Sequence, residues 1–245
     1  MHPSVKAGSA ALRGSFPSNQ SFQARITGEG GRLNLNLLAA AAIANPASPM
    51  GDMLRKYLEI KGVDLNERDR MVQCLLDWVD PDNLVRINGA EDEPGYKPAN
   101  APLKTLDELK RVKGWEEFTS QPNWDADFTL NSTTAQIDIN SASRDVLLAL
   151  PGFTEPLADR FLQMRRGPDD IEGTEDDVIF DAPQVQIALG LGREFDQLGA
   201  LIRYDSEVVR IVSIGKSGPI TRNVRVVLYK KGGGIRLIPG TWKEY

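Results

Sequence analysis

The sequence predicts an α+β protein in which an antiparallel sheet, drawn from both ends of the chain, is interrupted by a large helical insertion. Three observations lead there. Alternating apolar runs separated by turn signals stand at residues 21–36 and 203–245. Helix signatures fill residues 37–202 and occur in two related sets. Charge divides at the same places: residues 1–36 and 203–245 carry +3 and +6, which against a total of −5 leaves −14 on residues 37–202.

In chain order, residues 1–20 read as a loose tail. Phe22, Ala24 and Ile26 then alternate with polar neighbours, and Glu29-Gly30-Gly31 is expected to turn that strand into a hairpin with Leu33–Asn36. Helices are expected over Leu37–Ala44, Met53–Lys61 and Asp64–Val79. The last opens on a capping box, Asp64 with Glu67, and carries an apolar stripe of Met71, Val72, Leu75, Leu76 and Val79. Cys74, the single cysteine, sits in that stripe, so it is expected to be a buried free thiol and no internal disulfide can form. A long polar loop, Asp80–Pro102, follows. Thr105-x-x-Glu108 then forms the capping box of an expected helix with Leu109 and Val112.

The stretch Gln136–Arg166 is the centre of the insertion. Ile137 and Ile139 mark a short strand, and Asn140 or Ser141 can cap a helix that buries Val146, Leu147 and Leu150. Pro151-Gly152 ends it. Thr154 and Pro156 suit the start of a second helix, whose stripe is Leu157, Phe161 and Met164. A degenerate copy of this opening lies at residues 32–44, where Leu33, Leu35 and Asn36 match Ile137, Ile139 and Asn140. Each copy runs on into a capping box, the second being Asp181-x-x-Gln184. Two related units therefore stand in tandem, and each buries one face, so they are expected to pack as one domain. The chain ends in a three-stranded meander, Val208–Gly215, Thr221–Lys230 and Ile235–Trp242. A lone hairpin is marginal in water, so the early strands should join that sheet.

Composition is that of a globular chain, 41% hydrophobic and 26% charged over 245 residues. His2 is the only histidine, which with one cysteine argues against Ser–His or Cys–His relays and the usual zinc sites. Gly215-Lys216-Ser217 lacks the earlier glycine of a phosphate loop, Arg210 standing there instead. The turn Leu150–Thr154 resembles the helix-hairpin-helix element that presents backbone amides to DNA phosphate. Thr154 replaces that element's second glycine, however, and Glu155 and Asp159 stand where basic residues belong. A purely structural packing unit is the reading, with a helix-hairpin-helix nucleic-acid binder as the alternative.

The loop Gly167–Asp177 offers Asp169, Asp170, Asp176 and Asp177, the Thr174 hydroxyl and the Ile171 carbonyl, with Gly173 permitting a sharp turn. Four like charges repel one another in so short a loop, and a structural Ca2+ would offset that repulsion. Calcium accepts six to eight flexible oxygen ligands, whereas magnesium demands a tighter octahedron. A solvated acidic loop is the other reading. Asp82 and Asp92 make the Asp80–Asp92 segment a second, weaker candidate.

Taken together, GRLNLN, then LLDWVDPDN with NGAED and APLKTLDELKRVKGW, then IDINSASRDVLLALPG resemble the K-type minor pseudopilins of bacterial type II secretion systems. The resemblance covers most of the chain. It implies a pilin-like sheet with an inserted α-helical domain made of two helix-hairpin (SAM-like) repeats, and it implies no enzymatic activity. It also implies I-type and J-type minor pseudopilins as partners, rather than nucleic acid, in a tip complex that starts pseudopilus assembly at the periplasmic face of the inner membrane. The family's apolar N-terminal helix and prepilin peptidase motif are not in these residues. The expectation is thus a soluble piece of a protein whose native form is anchored through such a helix.

Overall fold

The computed structural model describes residues 9–16, 19–190, 192, 194–231 and 234–244. Strand β1 (Ser9–Phe16) turns into β2 (Gln20–Gly28), and a 3-10 turn at Glu29–Gly31 leads to the short β3 (Leu33–Asn34). Helices α1 (Leu35–Ala44), α2 (Pro49–Ile60) and α3 (Leu65–Val79) follow, then a long loop, a 3-10 turn at Leu106–Arg111 and α4 (Glu116–Ser120). Strand β4 (Phe128–Thr129) closes the first unit, and the second comprises β5 (Ile137–Asp138), α5 (Arg144–Ala149), α6 (Glu155–Arg165), α7 (Ala182–Leu189) and α8 (Glu194–Gly199). Strands β6 (Ile202–Arg203), β7 (Val208–Ser217), β8 (Ile220–Lys231), β9 (Gly234–Leu237) and β10 (Lys243–Glu244) close the chain.

The main sheet runs β1-β2-β7-β8-β10, with β9 also on β8, all antiparallel. The expected α+β class and the first two strands of the meander are borne out, and the early strand does join that sheet. The third strand, expected over Ile235–Trp242, ends at Leu237; the chain turns at Gly240 (φ 76°) and returns to β8 as the separate β10. Two readings at the start of the chain also need correction. Residues 9–16 are not a loose tail but a strand registered from Ser9↔Thr27 to Phe16↔Gln20; Ser, Ala and Gly in that stretch blur its alternation. The other residues of the expected tail up to 18 lie outside the described ones. The expected hairpin does not form either. At Glu29 the chain leaves the sheet, and Leu33–Asn34 pairs in parallel with Phe128–Thr129 instead.

The repeat is real in three dimensions. Just as β3 pairs with β4, β5 pairs in parallel with β6, Ile137 opposite Ile202. The matched asparagines perform the same task. Asn36 Nδ2 donates to the Leu103 carbonyl at 2.9 Å while its Oδ1 accepts from the Leu103 amide at 2.8 Å. Asn140 does the same to Phe180, at 2.9 and 2.8 Å, and also donates to the Tyr204 carbonyl at 3.0 Å. Each clamp fixes the chain just ahead of a capping box, Thr105 with Glu108 or Asp181 with Gln184.

Asn140 is therefore not free to cap α5. Ser141 is not available either, since its hydroxyl donates to Asp138 Oδ2 at 2.9 Å. The cap is Ser143, which accepts from the Val146 amide at 3.2 Å. The α6 stripe is also displaced: Ala158, Phe161, Leu162 and Arg165 are buried, Leu157 is half-buried and Met164 is exposed. Arg165 draws the helix round, because its Nη1 donates to the carbonyls of Ile139 (3.1 Å) and Ala142 (2.7 Å) at the end of β5. One continuous core joins both repeats, from Leu33 and Leu35 through Trp78, Trp115 and Phe128 to Val146, Leu147 and Phe161. Cys74 is buried in it as a free thiol, as its stripe predicts.

Where the insertion leaves and re-enters the sheet, a buried ion pair holds it. Arg210 on β7 donates to both oxygens of Glu29, at 2.8 and 2.7 Å, and to the Phe128 carbonyl at 3.1 Å. Thr129 Oγ1 donates to Glu29 at 2.6 Å, and Arg32 stands 3.3 Å away. Burial alone would raise the Glu29 pKa, but the charges of Arg210 and Arg32 with these hydrogen bonds outweigh it and hold the carboxyl below its ordinary value. The stability this gives is present at neutral pH and lost as pH falls through that lowered value. Gly31 completes the junction: a Cβ there would come 2.4 Å from the Ser141 backbone, so only glycine lets the second repeat pack this closely on the turn.

Leu147→Ala and Phe161→Ala should each cost about 2–5 kcal/mol in chemical denaturation, as expected for truncating a fully buried side chain. A loss below about 0.5 kcal/mol would misplace the core. Asp138 supplies a test of opposite sign. It is fully buried, and burial with the nearby Asp205 charge raises its pKa to about 6 despite hydrogen bonds from Ser141 and the Asn140 amide. A raised carboxyl pKa favours the fold in acid, and that contribution is lost as pH rises through 6. The first repeat carries Asn34 at the equivalent position. Asp138→Asn should therefore stabilise the protein at pH 7 by on the order of 2–3 kcal/mol and leave it little changed below about pH 4. Melting curves across that range check it, and an equal effect at both ends would refute the assignment.

Candidate functional site

The sheet has β1 at one margin and β9 and β10, both paired to β8, at the other. On β1, Leu12 and Phe16 are exposed; at the far side Ile235 and Leu237 of β9 and Trp242 beside β10 are exposed. Exposed apolar side chains beside strand edges of this kind suit protein docking, although on β1 the Ala11 amide already donates to the Gly173 carbonyl of the acidic loop at 3.0 Å. Salt bridges cross between sheet and insertion rather than facing outward: Arg25 to Glu172, Arg225 to Asp125 at 2.7 Å, and Lys243 to Asp107 at 2.9 Å.

The acidic loop Gly167–Asp177 folds back on itself, with Gly167 and Gly173 at positive φ and Asp170 also at φ 52°. Thr174 Oγ1 donates to Asp176 Oδ1 at 2.6 Å and to the Ile171 carbonyl at 3.0 Å, and the Asp169 amide donates to Asp176 Oδ2 at 3.1 Å. Asp169 Oδ1 accepts from the Ile171 amide at 2.8 Å, and Asp177 Oδ2 from the Gly173 amide at 2.8 Å. The structure thus gathers Asp169, Ile171, Thr174 and Asp176, sets Asp177 at the loop's closing end, and turns Asp170 outward to Arg166 at 3.2 Å. The Thr174 hydrogen bond is the main reason the Asp176 carboxyl lies below its ordinary pKa. Asp177 Oδ1 is buried and has no hydrogen-bond donor among the described residues.

In the helical hairpin, the turn at Gly152 (φ 82°) leads into α6, whose first turns present Glu155 and Asp159. Arg144 pairs with Asp159 at 2.6 Å and lies 3.4 Å from Glu155, which leaves this end acidic and ill suited to a phosphate backbone. Asp82 and Asp92 of the second acidic segment are exposed. Asp77, Asp80 and Glu91 are the carboxylates buried together there, a grouping the sequence hid because Asp77 reads as part of a helix and Glu91 as part of a loop.

Residues 31–121 match the family model described as type II secretion system (T2SS), protein K. The protein named type II secretion system protein K of Klebsiella pneumoniae is 30% identical over 134 residues, covering 50% of this chain and 40% of that protein. The putative type II secretion system protein K of Escherichia coli strain K12 is 30% identical over 146 residues, 54% of this chain and 44% of that one. The matched part thus spans less than half the length of these curated relatives. Among solved structures, a chain of the GspK–GspI–GspJ complex from the type 2 secretion system of enterotoxigenic Escherichia coli superposes with a TM-score of 0.66. The superposition covers 96% of this chain and 83% of that one at 17% identity, a likeness of fold.

Proposed function

Starting from a chain that is a relative of type II secretion system protein K, we propose that it acts as a non-catalytic minor pseudopilin at the tip of the type II secretion pseudopilus. In this reading it assembles with I-type and J-type minor pseudopilins at the periplasmic face of the inner membrane, starts pseudopilus formation and supports protein export. The observation that carries it is the family match over residues 31–121, which takes in β3 to α4 and the first Asn clamp, all of the first repeat up to β4. The fold shared with a chain of a three-protein pseudopilin complex supports the choice of partners. The open sheet edges offer them docking strands, and the bulk of the insertion leaves room for this subunit at a tip rather than along a filament.

The chain should co-purify with both I-type and J-type partners, with a yield that falls from low to high salt if charge steers assembly. Retention of neither partner would overturn the reading. Unchanged yield would remove its electrostatic part. Leu12→Lys on β1 and Leu237→Lys on β9 each charge one exposed edge, so the edge a partner uses should be identified by loss of that partner with melting temperature unchanged.

Within the same reading, the Gly167–Asp177 loop would hold a structural calcium ion through Asp169, Asp176, Asp177, the Thr174 hydroxyl and the Ile171 carbonyl. Asp170 would join after release from Arg166. The convergence of Asp169, Thr174 and Asp176 and the donorless oxygen of Asp177 support it. Calcium counted per chain after equilibrium dialysis should fall by one ion when Asp176→Ala and Asp177→Ala are combined. An unchanged count would leave a solvated acidic loop.

A further inference from the structure

The four long strands of the sheet carry no carboxylate. Strands β1, β2, β7 and β8 read SAALRGSF, QSFQARITG, VVRIVSIGKS and ITRNVRVVLYKK, with a basic side chain in every one and no Asp or Glu in any. Arg25, Arg210 and Arg225 are used inside the molecule, against Glu172, Glu29 and Asp125. Arg13 and Lys216 are exposed and have no ion-pair partner among the described residues. Arg222, whose side chain is 70% exposed, lies 3.6 Å from Glu244.

Strand pairing brings these last three cations together, at the end of the sheet where β1 turns into β2 and β7 into β8. Phe16, Gln20, Ser217 and Ile220 lie opposite one another in the outermost row. The row behind holds Lys216, the next Phe22 and Arg222, and the fourth Arg13 and Ile214. All three cations therefore stand within three residues of the end, a distance of about 10 Å. Side chains alternate between faces from row to row, so Arg13 and Lys216 share one face while Phe16, Phe22, Ile220 and Arg222 share the other. Phe16 and Ile220 are 56 and 58% exposed, and the Phe16 and Phe22 rings pack 6.0 Å apart. This end is apolar at its rim and cationic just behind it on both faces. The acidic insertion leaves the strands at the opposite end, after Gly28. It reaches β1 through the Gly173 carbonyl at Ala11, and residues 13–16 lie beyond that contact.

We propose that this end of the sheet rests on an anionic lipid surface, with Phe16 and Ile220 at the depth of the glycerol layer and Arg13, Lys216 and Arg222 among the headgroup phosphates. Charge complementarity selects the partner. An acidic leaflet attracts cations within a Debye length, roughly 8–10 Å at moderate salt, which takes in all three. The insertion, at −14, is repelled by the same surface, so the molecule is turned with this end toward the lipid. A nucleic-acid duplex would also attract the cations, but it would leave Phe16 and Ile220 against phosphate and water. A bilayer instead has apolar matter directly beneath its charged layer, the arrangement amphipathic surfaces use when they lie on membranes. The contact is made by the folded sheet alone and does not depend on the assembly reading.

The test is co-sedimentation of the full chain, in EGTA to exclude divalent bridges, with vesicles of phosphatidylcholine with and without phosphatidylglycerol. Binding should require phosphatidylglycerol and be lost at high salt. Each cation close to an acidic leaflet contributes roughly fivefold in affinity, so Arg13→Gln with Lys216→Gln should weaken binding at least about tenfold while circular dichroism is unchanged. Phe16→Ser should weaken it as well and keep its salt dependence. Lys230→Gln removes an exposed charge from β8 at the end away from Ile220, and should change binding by less than about twofold. Three results would overturn the proposal. They are no sedimentation with phosphatidylglycerol vesicles at low salt, a loss from Lys230→Gln equal to that from Lys216→Gln alone, and full displacement of the chain from vesicles by a DNA duplex at equal phosphate concentration.

Discussion

The buried pair of Glu29 and Arg210 is the point on which both ends of the insertion close. Thr27 stands opposite Arg210 and Gly28 opposite Val209 across the β2–β7 pairing, so a segment of well over a hundred residues departs from and returns to hydrogen-bonded neighbours. Such an arrangement needs something to turn the chain out of the sheet, because β2 could otherwise run on into Leu33–Asn36. Glu29 supplies it. Its carboxylate is fully buried, and removing Arg210 would leave a charge held by Arg32 and Thr129 alone, a loss of roughly 3–5 kcal/mol for pairs of this kind. The donors come from three places: Arg210 on the sheet, Arg32 on the turn and Thr129 on the first repeat. The same contact therefore sets where the sheet stops, how the turn bends and where β4 docks.

Within the insertion, a second constraint occurs twice. Parallel two-residue ladders are weak by themselves, and each is locked by an asparagine that pairs with both the amide and the carbonyl of a distant residue. The two clamps are alike but their settings differ. The first repeat has Asn34 beside its clamp, bonded to Ser132 at 3.0 and 3.2 Å, whereas the second has the acid Asp138. Arg165 answers that difference, since it is buried near Asp138, carries the opposite charge and covers the carbonyls at the end of β5. The second repeat thus spends a buried cation where the first uses neutral groups.

How far these features could be read from sequence depends on how local their causes are. The long helices, the capping boxes at Thr105 and Asp181, the first two strands of the meander and the repeat follow from periodicity and short spacing and are present, whereas the helix expected after Thr105 is a 3-10 turn and the last strand stops at Leu237. The Asn36 and Asn140 clamps show as matched letters in the repeat, but their partners lie 67 and 40 residues away and are backbone groups, which carry no sequence signature. Ser143 displaced Asn140 and Ser141 as a cap because those side chains are engaged by tertiary contacts. The α6 stripe shifted for a similar reason: an arginine at its edge is buried by carbonyls from another element. At the candidate sites, the Gly167–Asp177 ligands are legible because they are contiguous. Asp77, Asp80 and Glu91 are not, since a helix end and a loop return are needed to bring them together.

The charge division seen along the sequence has a different meaning once folded. A basic sheet and an acidic insertion look like two surfaces prepared for outside partners, yet much of that complementarity is used within the molecule. Arg25, Arg210, Arg225 and Lys243 of the sheet pair with Glu172, Glu29, Asp125 and Asp107. Three of these pairs have at least one half-buried or buried member, so they are screened less by salt than surface contacts are. They orient the insertion on the sheet and reduce the outward field of both. A partner then meets a weaker electrostatic contrast than composition suggests, and long-range steering is correspondingly modest. Binding strength must come chiefly from elsewhere, and exposed apolar side chains beside unpaired strand edges are the groups on the sheet able to supply it.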